Sequence, residues 1–196
     1  MLKLKIMVND KWLMVNKHVI ARVIGVCLLL CLGLVACKHG KQFPPEPHLE
    51  FVSLEKIDNG TGIDNQAILK LKFTDGDGNL GLDANEIYPP FDAPPYDNNF
   101  FVKFYVKRNG EFVVFSWEYN GVTHEWEGNA RLPRFLATND PEPIEGVIEK
   151  VLEIRNPLNL PTIPAVDTVM FECWLVDRDL NESNHVFTPV ITVVNR

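Results

Sequence analysis

The segment FVKFYVKRNGEFVVFSWEYNGVTHEWE, residues 101–127, decides the fold class because it contains two Asn-Gly pairs between runs that alternate in polarity. The pairs are Asn109-Gly110 and Asn120-Gly121. Both residue types tolerate positive φ, so an Asn-Gly pair favours the two-residue turn of a β-hairpin. The segment therefore predicts two consecutive hairpins.

Two-residue turns also fix which residues face each other. The pairs are Arg108 with Glu111, Val106 with Val113, Phe104 with Phe115, Val102 with Trp117, and Trp117 with His124. One face then collects apolar side chains, namely Val102, Phe104, Val106, Val113, Phe115, Trp117, Val122 and Trp126. A slip of one residue would mix polar and apolar sets. We therefore expect a three-stranded meander with one buried face and one face in water.

Strand patterns occur on both sides of this segment. The candidates are residues 49–57, 67–74, 168–176 and 186–194. Residues 144–155 fit both a helical stripe and one face of a strand, and the all-β surroundings favour the strand. About seven or eight short strands with frequent turns predict an all-β antiparallel β-sandwich.

The N-terminal region has the layout of a secretory signal. Residues 23–36 form an apolar run that follows Lys11, Lys17 and Arg22. A helix of this length spans about 21 Å, which is shorter than the bilayer core of about 30 Å. The layout therefore predicts a signal peptide over residues 1–36 rather than a membrane-spanning helix. Met14 would give a more typical start, with residues 1–13 as an extension.

The signal ends at Leu34-Val35-Ala36-Cys37, which resembles the lipobox of bacterial lipoproteins. The resemblance implies cleavage before Cys37 and covalent attachment of a diacylglycerol and an acyl chain such as palmitate to that residue. A lipid bilayer would then be a partner. Lys38 follows the cysteine, as in lipoproteins sent to the outer membrane, and both the periplasmic side and the cell surface remain open.

The remaining chain divides into a tether and a domain. Residues 37–48 contain Pro44, Pro45 and Pro47 and predict an extended tether, and residues 49–196 predict one β domain. Without residues 1–36 the net charge falls from −7 to −11, which disfavours binding to nucleic acid. Cys173 is then the one cysteine of the domain, and we expect a buried thiol rather than a nucleophile.

Residues 75–86, DGDGNLGLDANE, follow a predicted strand and present oxygen atoms at alternating positions. Hard cations such as Ca²⁺ require several oxygen ligands on a sharply turning backbone. The spacing resembles the EF-hand loop, and the resemblance implies five ligands: Asp75, Asp77, Asn79, Asp83 and Glu86. Leu80 stands at the position of the EF-hand glycine, so the ligand pattern alone carries over. The alternative is a solvated turn, which Asp, Asn and Gly also favour.

A second acidic stretch, residues 177–184, repeats the alternating spacing with Asp177, Asp179 and Asn181. It contains no glycine, and Arg178 can neutralise a neighbouring carboxylate, so a polar hairpin loop is favoured over a cation site. Both loops could share one ion if the strands before them point the same way.

The mature chain resembles bacterial lipoproteins with an immunoglobulin-like domain. The similarity rests on the lipobox, on FTDGDGNLG after a strand, and on the closing LVDRDLNESNHVFTPVITV. It implies a location and a fold, with no activity attached. We expect a non-catalytic binding or structural module of the cell envelope, stabilised by Ca²⁺, with an unknown envelope protein or glycan as partner.

Two further expectations concern the surface and the chemistry. The proline-rich loop 88–99 offers a contact surface formed by Tyr88, Phe91 and Tyr96. The alternative function is carbohydrate binding or polysaccharide processing, which an exposed planar row of Trp117, Trp126 and Trp174 would favour. No catalytic residue is predicted: His124 lacks the second histidine of a zinc-protease motif and is expected at the edge of the core.

Overall fold

The computed structural model describes residues 4–8, 11–15, 42–57, 60–126, 128–136, 142–154 and 166–194. The chain divides into two compact units, Met1–Gly40 and Lys41–Arg196. In the first unit β1 (Leu4–Val8) and β2 (Lys11–Val15) form an antiparallel hairpin. The predicted apolar signal run and Cys37 lie outside the described residues, so the signal peptide stays a prediction. Within the described ranges there is no helix with the length and hydropathy of a membrane span.

The second unit is all-β and contains two principal antiparallel sheets. The smaller sheet has the order β3–β4–β9, formed by β3 (His48–Ile57), β4 (Gln66–Asp75) and β9 (Ile144–Glu153). The larger sheet has the order β11–β10–β5–β6, with β12 also paired to β10. Its strands are β5 (Phe100–Arg108), β6 (Glu111–Val114), β10 (Val166–Leu175), β11 (Val186–Phe187) and β12 (Ile191–Val194). The prediction of an all-β antiparallel sandwich is confirmed.

One buried cluster contains the inner side chains of both sheets. The smaller sheet contributes Leu49, Leu69, Leu71, Phe73, Ile148 and Leu152, and the larger sheet contributes Phe104, Val106, Phe171, Cys173 and Val193. The alternation in β4 is strict, with every second side chain buried. Removal of these side chains from water is the main favourable term that holds the sheets together.

The ambiguous segment 144–155 is a strand, as favoured, and the structure explains its helical appearance. Ile144, Ile148 and Leu152 are buried, whereas Gly146 and Lys150, on the same face of the strand, are half-buried. The ring of Phe73 lies against Gly146, where a Cβ atom would collide with it. The gap between Ile144 and Ile148 in the apolar pattern is therefore a glycine that makes room for a ring on the neighbouring strand.

The predicted meander is wrong in its second half. The first hairpin has the predicted register, with Val106 opposite Val113 and Arg108 opposite Glu111. After Phe115, however, β7 (Ser116–Tyr119) and β8 (Val122–Glu125) form a separate two-stranded sheet. Its internal register is the predicted one, but Trp117 does not face Val102.

The chain after this hairpin returns to β5 and takes the place of the missing strand. Gly128 N donates to Val102 O at 3.1 Å, and Ala130 forms a bridge with Phe100. Val113 and Val122, which were expected on the buried face, are both exposed. The hairpin β7–β8 therefore projects from the larger sheet.

On one edge of β10, side-chain hydroxyl groups as well as neighbouring strands form hydrogen bonds with the backbone. The predicted strand 186–194 is interrupted around Pro189, which has no backbone N–H to donate. Here Thr188 Oγ1 accepts a hydrogen bond from Phe171 N at 3.0 Å. Ser183 Oγ accepts from Leu175 N at 2.9 Å. These hydroxyls satisfy buried backbone donors where strand pairing stops.

Candidate functional site

The acidic loop 75–86 begins with a buried aspartate that organises the backbone. Asp75 is fully buried, and its carboxylate accepts hydrogen bonds from Gly78 N at 3.2 Å and Leu80 N at 2.9 Å. Burial and the neighbouring Asp77 raise the pKa of Asp75 to about 7, against the opposing effect of the backbone donors. Asp75 therefore shapes the turn from within.

Asn79 joins the two acidic loops. Its Nδ2 donates to Asp77 Oδ2 at 3.2 Å and to Asp179 Oδ2 at 3.0 Å. Its Oδ1 is buried and has no hydrogen-bond partner among the residues that the structure describes. The contact with Asp179 shows that the two acidic loops lie next to each other.

The second loop has the same internal construction as the first. Asp177 is buried and accepts from Asp179 N at 2.9 Å and Asn181 N at 2.8 Å. Asn181 Nδ2 also donates to its other carboxylate oxygen at 2.8 Å. Burial, with a smaller effect of Asp77, raises the pKa of Asp177. The first carboxylate of each loop is thus engaged by its own backbone.

Asp83 and Glu86 have arginine partners. Asp83 Oδ2 lies 3.3 Å from Arg134 Nη1, and Glu86 Oε1 pairs with Arg178 Nη2. Glu86 Oε2 also accepts from Asp83 N at 2.6 Å. Within the described ranges, no group of three or more carboxylate, histidine or cysteine side chains is arranged to hold a metal ion. Cation binding at this end of the sandwich stays a prediction.

The glycines of the loop admit backbone from other parts of the chain. A Cβ atom at Gly78, which has φ +69°, would collide with the carbonyl of Glu142. A Cβ atom at Gly81, with φ +98°, would collide with the carbonyl of Pro133. The predicted tether is likewise not free over its whole length, because the backbone of Phe43 and Pro44 lies against Gly76. The glycines therefore allow the backbone of other segments to pack closely against this loop.

The side chain of Arg131 is hydrogen-bonded to the backbone of the proline-rich loop and of the residues just before it. Its guanidinium donates to four carbonyl oxygens: Asp83 at 3.0 Å, Glu86 at 2.7 Å, Phe91 at 3.4 Å and Asp97 at 3.0 Å. A planar guanidinium with five donors can satisfy several acceptors at once. A single side chain thus fixes both ends of the segment 83–97.

The predicted contact surface on this loop is corrected at one residue. Tyr88 is 52% exposed and its neighbour Ile87 is 73% exposed. Phe91, by contrast, is buried and lies edge-on to Tyr88, so it supports that ring and presents no surface of its own. Tyr96 is half-buried and turns toward a cleft.

The cleft lies between the proline-rich loop and the outer face of the larger sheet, and its volume is about 390 Å³. Its apolar wall includes Pro94, Pro95, Tyr96, Trp126 and Trp174. Its charged lining consists of Asp97, Lys103, Glu125 and Glu182. Concave sites that combine apolar walls with a few polar groups are the usual sites of ligand binding.

The tryptophan rings do not form a free planar row. The Trp174 ring stacks against Phe101, with the ring centroids 5.1 Å apart, and against His185, with the centroids 4.8 Å apart. Trp126 packs against Phe104 and Phe171 at the edge of the core. Trp117 is stacked on His124, which lies in β8 away from the core, so the expected core-edge position of His124 is corrected.

A chain of four polar side chains borders the cleft. Tyr105 Oη donates to Glu172 Oε2 at 2.6 Å, Glu172 Oε1 lies 2.6 Å from His185 Nδ1, and His185 Nε2 lies 2.7 Å from Glu182 Oε1. Burial alone would lower the pKa of His185, but its bonds to the two glutamates outweigh burial and raise it. Burial and Glu172 raise the pKa of Tyr105 to about 12.

Cys173, one residue from this chain, points into the core. It is fully buried, and burial raises the pKa of its thiol to about 12. The thiolate, which is the nucleophile, is therefore disfavoured at neutral pH, and the prediction of a buried thiol is confirmed.

Sequence reasoning missed Arg131 and the charged lining of the cleft. Asp97, Glu125 and Glu182 lie in three separate loops and strands, and no spacing rule connects them. Proline-rich turns next to aromatic residues were the one local signal of the cleft.

Comparison of the chain with protein-family models, with curated proteins and with solved structures finds no match.

Proposed function

We propose that this chain is a lipid-anchored lipoprotein of the outer membrane whose β domain is a non-catalytic binding module for an envelope partner. The observation that carries the proposal is the cleft of about 390 Å³ between the proline-rich loop and the larger sheet. Arg131 fixes the loop through four carbonyl oxygens, so the cleft exists before a ligand arrives. A preformed site loses less conformational entropy on binding.

The anchor in this proposal is Cys37. A thioether-linked diacylglycerol together with an acyl chain supplies more than one lipid chain, which is the requirement for stable attachment to a bilayer. A domain held in this way needs no membrane-spanning segment. The carboxylate excess of the domain is compatible with a position near other envelope polymers, and it disfavours nucleic acid as a partner.

The anchor and the cleft are tested separately in cells that produce the full chain. Metabolic labelling with a clickable palmitate analogue should label the wild type, and Cys37→Ser should lose the label. A photoreactive residue introduced at Asn98, in the cleft, should cross-link to an envelope component. The same residue at Asn120, at the tip of the β7–β8 hairpin, is the matched control. Equal cross-linking at both positions would refute the cleft as the binding surface.

A second element of the proposal is stabilisation by Ca²⁺ at the paired acidic loops. The supporting observation is Asn79, whose amide donor lies between the carboxylates of Asp77 and Asp179 while its buried oxygen has no partner in the described structure. Rotation of the Asn79 amide would present its oxygen to these carboxylates in place of its donor, and the three side chains would then offer oxygen ligands to a cation. Asp77, Asn79 and Asp179 are therefore the residues that would hold Ca²⁺, which supplies charge neutralisation and no chemistry.

Thermal unfolding with and without Ca²⁺ tests this element. With a dissociation constant of about 10⁻³–10⁻⁴ M, Ca²⁺ at about 1 mM should stabilise the fold by about 0.4–1.4 kcal/mol. The double variant Asp77→Asn with Asp179→Asn should abolish the increase, whereas Asp92→Asn, an exposed carboxylate of the proline-rich loop, should keep it. A melting temperature that does not respond to Ca²⁺ would refute the calcium element and leave the binding module untouched.

A further inference from the structure

We infer that the cleft accepts the lysine side chain of a partner protein. This inference rests on the proposed binding function and names the chemistry of its ligand. It is carried by three features of the cleft: an excess of negative charge at its lining, apolar walls that fit an aliphatic arm, and a Trp174 ring that already has stacking partners.

The charge of the lining is unbalanced. Three carboxylates, Asp97, Glu125 and Glu182, face one cation, Lys103, among the described lining residues. Lys103 Nζ lies 5.6 Å above the ring of Trp174. Burial raises the pKa of the Glu172 carboxyl, and the positive charge of Lys103 is one of the effects that lower it.

Glu182 is paired with His185, so Asp97 and Glu125 are the two lining carboxylates that remain available to a ligand. Neither Asp97 nor Glu125 forms an ion pair with a described residue, and the Asp97 carboxylate accepts only the amide of Asn98, at 3.1 Å. The net charge of the domain adds to the local field, and a concave site lined by one sign of charge attracts the opposite charge.

The walls distinguish lysine from other cationic ligands. Pro94, Pro95 and Trp126 provide an apolar surface for four methylene groups, while the carboxylates at the lining meet the ammonium group. An arginine or a sugar ring gains most by stacking on an open aromatic face, but the Trp174 ring already stacks against Phe101 and His185 and lies under the Lys103 ammonium group. The compact, flexible lysine side chain needs no such face.

Titration calorimetry on the full chain in non-ionic detergent tests the inference. The probes are N-acetyl-trilysine amide, the same peptide with its three side-chain amines acetylated, and a trimer of glucosamine. At about 50 mM salt the trilysine peptide should bind and the acetylated peptide should not, and affinity should fall as salt rises. Asp97→Asn and Glu125→Gln should each weaken binding by about three- to fivefold. Glu111→Gln, an exposed carboxylate of β6 away from the cleft, should leave it unchanged.

Three results would overturn the inference. Equal binding of the acetylated peptide would show that charge is not recognised. Undiminished binding by both cleft variants would place the lysine elsewhere on the surface. Binding of the glucosamine trimer without binding of trilysine would identify a cationic sugar as the ligand. The cross-link at Asn98 is independent of charge. If the cross-link forms but calorimetry shows no binding of the trilysine peptide, the lysine inference alone is refuted.

Discussion

Replacement of Arg131 should destabilise the domain by loosening the proline-rich loop. The guanidinium makes three hydrogen bonds of 3.0 Å or shorter, to the carbonyls of Glu86, Asp83 and Asp97, and a weaker one of 3.4 Å to Phe91. A net value of about 1.5–3 kcal/mol for a bond to a charged group would give about 4.5–9 kcal/mol for three. Arg131 is only half-buried, so water replaces part of this, and we expect a loss of about 2–4 kcal/mol for Arg131→Met.

Differential scanning calorimetry on the full chain measures this loss. For a domain of this size, the expected decrease in melting temperature is about 5–12 °C. Arg131→Lys should recover part of it, because an ammonium group donates from one nitrogen and cannot span acceptors at both ends of the loop. Limited proteolysis should show faster cleavage within residues 83–97 in both variants.

The control is Lys107→Met, which removes an exposed positive charge from β5 at a position remote from the loop. Melting temperatures that fall equally in Lys107→Met and Arg131→Met would attribute the effect to net charge. An Arg131→Met variant with the stability and protease resistance of the wild type would refute the role of the four carbonyl bonds.

Three other substitutions test separate parts of the structure. Asn99→Asp should cost about 2–4 kcal/mol in urea unfolding, because buried Asn99 both donates to Leu132 O and accepts from Leu132 N, and a carboxylate can only accept; an unchanged midpoint would contradict this. Gly81→Ala should cost about 2–4 kcal/mol at its φ of +98°, where a Cβ meets the Pro133 carbonyl, and wild-type stability would exclude that collision. His185→Gln should matter most at acidic pH: its folded pKa is raised above 6.5, so its stabilising effect is complete below that pH and is lost as pH rises through the folded pKa. We expect the wild type to be more stable than His185→Gln by about 0.5–1 kcal/mol at acidic pH. A difference that does not shrink toward about pH 9 would refute the ion pairs of this histidine.

The pH window of the last prediction also has a lower limit. The pKa of Glu172 is lowered from 4.5, because its bonds to Tyr105 and His185 outweigh the effect of burial. A lowered acid pKa gives stability that is present above 4.5 and lost as pH falls through the folded value. The Glu172–His185 pair therefore stabilises the fold most between about pH 4.5 and pH 6.5.

The parts of the fold that were predicted are those in which neighbouring residues determine the geometry. Asn109 and Asn120 both have positive φ, as the Asn-Gly turns require, and the registers next to these turns follow. The alternation of β4 predicted its buried face without reference to any partner strand. In each case the period of two or the turn conformation is a property of a few consecutive residues.

The wrong predictions concern backbone groups that form hydrogen bonds with a distant segment and not with the neighbouring strand. Trp117 was expected opposite Val102, but Val102 N donates to Asn129 Oδ1 at 3.1 Å and Val102 O accepts from Gly128. The alternating pattern of β7 and β8 satisfies a separate hairpin as well as a meander, so the sequence did not distinguish the two arrangements. The close neighbours of the glycines in the acidic loop, which are carbonyls of residues 43, 44, 133 and 142, could likewise not be read from the local pattern.

By itself the sequence determined that this chain is an antiparallel β protein, where its hairpins turn, and which loops carry alternating oxygen atoms, because turn conformation and side-chain alternation are local. The tertiary structure alone decided that Asn79 meets Asp179, that Arg131 fixes a loop up to 48 residues away, and that three carboxylates line one cleft. Such contacts join residues that are far apart in the chain. Their positions depend on how the two sheets pack, which no local pattern specifies.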